Sequence, residues 1–79
     1  MILTIIQQEK IRKEFKLSNR EMDVIKAILS GKDTDIEIAK SLHLTLMTTK
    51  QYIQRIYYKT GKRKKLSAVL KCLEILDLH

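Results

Sequence analysis

Seven lysines and arginines, Lys50, Arg55, Lys59, Lys62, Arg63, Lys64 and Lys65, fall within residues 45–65, and no aspartate or glutamate falls among them. Elsewhere the signs mix: residues 1–44 carry eight basic and seven acidic side chains, and residues 66–79 carry one basic and two acidic. The formal net charge of +7 is therefore concentrated in one stretch. A local field of one sign suits a polyanionic partner, and nucleic acid leads on that criterion. An acidic protein or a membrane surface is the alternative. Gln51 and Gln54 lie between the cations, and amides of this type can hydrogen-bond to base edges.

Other chemistry finds little support. No paired carboxylates, glycine-rich phosphate loop or serine/histidine/acid grouping stands out, and a helical chain of 79 residues has little room for a substrate pocket. Catalysis is not expected, and neither is a cofactor. One cysteine, Cys72, excludes an intramolecular disulfide and reads as a small apolar residue. His43 lies near no cysteine and makes a poor metal ligand, so no metal is expected. The leading apolar run, Met1 to Ile6, is too short for a membrane span and lacks the basic flank of a signal peptide. The chain reads as a cytoplasmic, single-domain protein.

The elements that must position the basic stretch follow from spacing and end signals. With no proline, two glycines and four aromatics, the composition favours an all-α protein. Ser18 and Glu21 have capping-box spacing ahead of a helix whose Met22, Ile25, Ile28 and Leu29 share a face, and Gly31 stops it. Thr34 and Glu37 repeat the box before a short helix that turns Ile38, Ala39 and Leu42 inward. Thr45 then caps a third helix, about 46–60, with Thr49, Ile53 and Ile56 on one side and Leu46, Met47, Lys50, Gln51, Gln54, Arg55 and Tyr58 on or near the other. From Leu66 a fourth helix carries one stripe of Leu66, Val69, Leu70, Leu73 and Leu76 and a second of Ala68, Cys72 and Ile75. Two apolar stripes on a terminal helix predict a core face and a partner face, and a second copy of the chain is the simplest partner. Residues 1–16 form a short N-terminal extension, either broken or, if helical throughout, apolar on two sides.

A short helix, a turn and a third helix with a polar outer face form a helix-turn-helix, whose second helix enters the DNA major groove. The base readers expected there are Lys50, Gln51, Gln54, Arg55 and Met47; Met47 and Leu46 suit thymine methyls. Thr45, Thr48, Tyr58, Lys59, Lys62, Arg63, Lys64 and Lys65 are expected at phosphates, which position without reading sequence.

These residues also carry a resemblance. Leu17, Arg20, Glu21, Gly31, Glu37-Ile38-Ala39, Leu42, Leu44-Thr45, Thr48, Lys50, Ile56, Lys59, Gly61 and Ala68-Val69 resemble the LuxR/NarL-type (GerE-like) DNA-binding domain over about residues 17–77. The chain departs from the usual pattern at Thr49, Tyr52, Arg55 and Thr60-Gly61-Lys62. The resemblance implies a four-helix domain over 17–79 that binds double-stranded DNA as a homodimer through its last helix. Most members carry a sensory or receiver domain, for which these 79 residues have no room. A signal is then expected to act through protein level, a partner or residues 1–16.

The leading expectation is a sequence-specific transcriptional regulator. The second is a protein-interaction module on the same scaffold, binding another regulator through the apolar ends, residues 1–16 included. RNA binding is a third, disfavoured by the lack of clustered aromatics.

Overall fold

Four of the five helices begin where a side-chain oxygen meets a free backbone N–H. The computed structural model describes residues 2–76, with α1 (Ile5–Phe15), α2 (Asn19–Leu29), α3 (Asp35–Leu42), α4 (Leu46–Thr60) and α5 (Lys65–Glu74) and no strand among them. The fold is all-α, with one helix more than the four expected. The extra one is α1, which opens on a full capping box: Thr4 Oγ1 accepts from the Gln7 N–H at 3.1 Å, and the Thr4 N–H donates to Gln7 Oε1 at 2.9 Å.

Ser18 and Glu21 close their box as expected, at 3.1 and 2.8 Å. The box expected of Thr34 and Glu37 is only half formed. Thr34 Oγ1 accepts from the Glu37 N–H, but the Glu37 carboxylate takes the Thr34 hydroxyl proton at 3.1 Å and leaves the backbone N–H alone. At the far end of α2, Gly31 takes a φ of 103°, which lets the Lys32 N–H turn back to the Ala27 carbonyl at 3.1 Å.

The core draws on every helix. Ile11 of α1, Met22, Val24 and Ile25 of α2, Ile38 of α3, Ile53 and Ile56 of α4, and Ala68, Val69 and Cys72 of α5 are buried together with Leu3 and Leu17. Residues 5–15 are thus one helix with two apolar sides: Ile11 is in the core with Phe15 packed beside it, whereas Ile2, Ile5 and Ile6 lie in solvent. Thr49 and Thr60 are buried too. Their hydroxyls bond back to the carbonyls of Thr45 at 2.9 Å and Ile56 at 2.8 Å, so neither polar group is stranded.

The stripes of α5 are rearranged. Val69 and Cys72, expected among the partner-face candidates, are 4% and 0% exposed, whereas Leu66 and Leu70 are 69% and 53% exposed. Val69 lies one position after Ala68, and both point inward with Cys72, a helical i, i+1, i+4 set. Leu73, Ile75 and Leu76 are half-buried against the core, and Ile75 already lies past the helical turns as the C-cap.

Burial pushes the Cys72 thiol up to about 11 from 9.0. At pH 8 the folded protein is expected to react with a thiol reagent at least about 100-fold more slowly than the denatured chain, since the thiolate is the attacking form. A colorimetric thiol assay with and without denaturant measures this.

Candidate nucleic-acid interface

The turn between α3 and α4 sets the site. His43 adopts a left-handed φ of 57°, and the Leu44 N–H bonds back to the Ala39 carbonyl at 2.9 Å, closing α3 within one residue. Thr45 then caps α4, its Oγ1 accepting from the Thr48 N–H at 3.1 Å. With Thr49, Ile53, Ile56 and Thr60 fixed in the core, the opposite face of α4 is turned outward. Leu46, Met47, Lys50, Gln51, Gln54, Arg55 and Tyr58 are all exposed on it. The first six line a shallow recess. Gln54 also joins Tyr57, Tyr58, Gly61, Lys62 and Arg63 in a second recess at the far end of the helix.

Thus Lys50, Gln51, Gln54, Arg55 and Met47 share one open surface with Lys62 and Arg63 beside it. Amide and guanidinium groups on a helix of this length can meet base edges in a major groove, which admits one helix.

The profile of the bacterial regulatory proteins of the luxR family matches residues 16–72. The chain belongs to this family. No curated protein and no solved structure matches it. Membership makes the protein a LuxR-type DNA-binding regulator, and the match spans α2, α3 and α4 and most of α5.

Within this LuxR-type domain, several residues expected at phosphates have other work. Lys59 Nζ donates to Glu21 Oε1 at 2.6 Å and to the Lys16 carbonyl at 2.9 Å. The Glu21 carboxylate, almost wholly buried, draws that ammonium away from the outer face of α4 and onto the junction of α1 and α2. Lys65 Nζ lies 2.8 Å from Asp35 Oδ1, an oxygen shielded from solvent, and so joins the start of α5 to the start of α3. These two cations hold the scaffold. Lys50, Arg55, Lys62, Arg63 and Lys64 are left exposed.

Thr45 is similarly spent, because its hydroxyl hydrogen goes to Thr48 Oγ1 at 2.9 Å while its oxygen caps the helix. The free hydroxyl hydrogen at this end belongs to Thr48. Acid also comes closer than the sequence suggests: Asp33 and Asp35 border the same recess as Lys50 and Lys65. Both precede the basic stretch in sequence and are brought to it by the fold, Asp35 meeting Lys65 at the start of α5.

Sequence reasoning missed the Arg55–Tyr52 contact, with the guanidinium carbon 5.8 Å from the ring centre. The three-residue spacing on a helix was the available signal.

Proposed function

We propose that the protein is a sequence-specific transcriptional regulator that binds double-stranded DNA in the cytoplasm as a homodimer, with α4 of each protomer in a major groove. The observation that carries this reading is the outer face of α4, where five residues of types suited to bases stand exposed and no carboxylate on the helix opposes the phosphates. Phosphate contacts fall to Thr48, Tyr58, Lys62, Arg63 and Lys64, with the N–H groups of Leu46 and Met47 at the helix start as further donors. The exposed Leu66 and Leu70 of α5, continued by Leu73, Ile75 and Leu76, supply the two-fold contact.

Selection of bound duplexes from a random pool tests the reading. The expected product is a palindrome with half-sites about one helical turn apart. On that duplex Arg55→Ala is expected to cost roughly 1–3 kcal/mol, the worth of a two-pronged base contact. Random sequence after several rounds would defeat the proposal.

A protein-interaction module is the second reading, favoured by Ile2, Ile5 and Ile6 standing exposed at one end of the molecule. A monomer at all concentrations in light scattering, with no selected duplex, would support it over the first.

A further inference from the structure

We propose that Tyr52 is a positioning residue for sequence reading: its ring holds the Arg55 guanidinium ready to grip one guanine in each half-site. This rests on the assignment of α4 to the major groove and adds to it which base is read and what prepares the reader.

Tyr52 is half-buried and packs against the core, so its ring is a fixed surface. Arg55, one turn further on, is exposed, with its guanidinium carbon 5.8 Å from the ring centre. That lies within the roughly 6 Å over which a cation is drawn to an aromatic face. Among the described residues no carboxylate pairs with Arg55, so the ring is the group that restrains it.

The restraint matters because arginine is long and loses rotamer freedom whenever it binds. A guanidinium drawn toward a ring face still has N–H groups to offer elsewhere, and the group so restrained has met part of the ordering cost before DNA arrives. The edge matches the O6 and N7 acceptors of guanine, the commonest two-pronged contact of arginine in the major groove. Gln51 and Gln54 share the surface but have amides suited to adenine, and Lys50, a point charge that can also reach guanine, lacks the planar fork and the ring contact of Arg55, so the two-pronged guanine contact is assigned to Arg55.

The test compares three duplexes: the selected sequence, the same sequence with the contacted guanine pair replaced by an adenine pair, and random DNA. Anisotropy titrations at one salt concentration would use wild type, Tyr52→Phe, Tyr52→Leu, Tyr52→Met, Arg55→Ala and Tyr52→Leu/Arg55→Ala. All would be measured well below their melting temperatures. Arg55→Ala is expected to abolish most of the guanine preference, roughly 10- to 100-fold. Tyr52→Phe keeps the ring and should keep the preference. Tyr52→Leu and Tyr52→Met should each weaken the selected duplex about two- to fivefold, leaving random DNA unchanged. The double variant should bind as Arg55→Ala does.

Equal preference in wild type and both aliphatic variants would overturn the role of the ring while leaving Arg55 as a reader. So would a loss in Tyr52→Phe as large as in Tyr52→Leu, or additive losses in the double variant. A full guanine preference in Arg55→Ala would instead overturn Arg55 as the reader.

Discussion

Lys59→Met is expected to lower the unfolding free energy by about 2–3 kcal/mol, with no change in the salt dependence of DNA binding. Removing one partner of a buried ion pair strands the other, and here the stranded group is the Glu21 carboxylate, with its side chain 2% exposed. The lysine side chain is 28% exposed, which holds the cost below that of a fully buried pair. Only the Ser18 N–H, at 2.8 Å, would still serve the same carboxylate oxygen. For a domain of this size the melting temperature should fall by roughly 10–20 °C. Adding Glu21→Gln should recover more than half of the loss, because the amide oxygen still accepts from Ser18 while the buried charge disappears. Thermal melts of the two variants and wild type decide it; a Lys59→Met protein as stable as wild type would mean the pair holds nothing.

Each protomer's contribution to random-duplex affinity should fall roughly 500-fold between about 50 and 200 mM salt, a slope near −4.5 per protomer in log affinity against log salt. Five exposed cations, Lys50, Arg55, Lys62, Arg63 and Lys64, stand behind that value at about −0.9 each, since on random duplex Lys50 and Arg55 meet no matching base and fall to phosphates. Lys64→Gln should make the slope shallower by about 0.9, and Lys59→Met should leave it alone. Anisotropy titrations across salt measure all three. A Lys59→Met slope as shallow as that of Lys64→Gln would return Lys59 to the phosphates.

Sequence made the helices readable wherever local chemistry decides the structure. Ser18 with Glu21, Thr45 ahead of α4 and Gly61 behind it mark ends that depend on neighbours three or four residues away. The outer face of α4 was legible for the same reason, since burying Thr49, Ile53 and Ile56 fixes which side remains. Thr4 and Gln7 carry a capping box in the less familiar glutamine form, and with it α1. What spacing could not show was pairing across the fold. Lys59 meets Glu21 across 38 positions, and Lys65 meets Asp35 across 30, so a stretch without acids in sequence is partly neutralised in space. The α5 stripes failed for a related reason: Val69 and Leu70 are neighbours on the helix, and only the packing of α1, α2 and α4 decides which is covered.

Amide shift mapping of the isotope-labelled protein tests most directly whether the outer face of α4 meets duplex DNA. Titrated with the selected duplex, the largest changes should fall on residues 45–55 and 62–64, with Ile5 to Ile11 of α1 nearly still. Changes centred on Ile2 to Ile6 with α4 silent, or no change in dilute buffer, would contradict it.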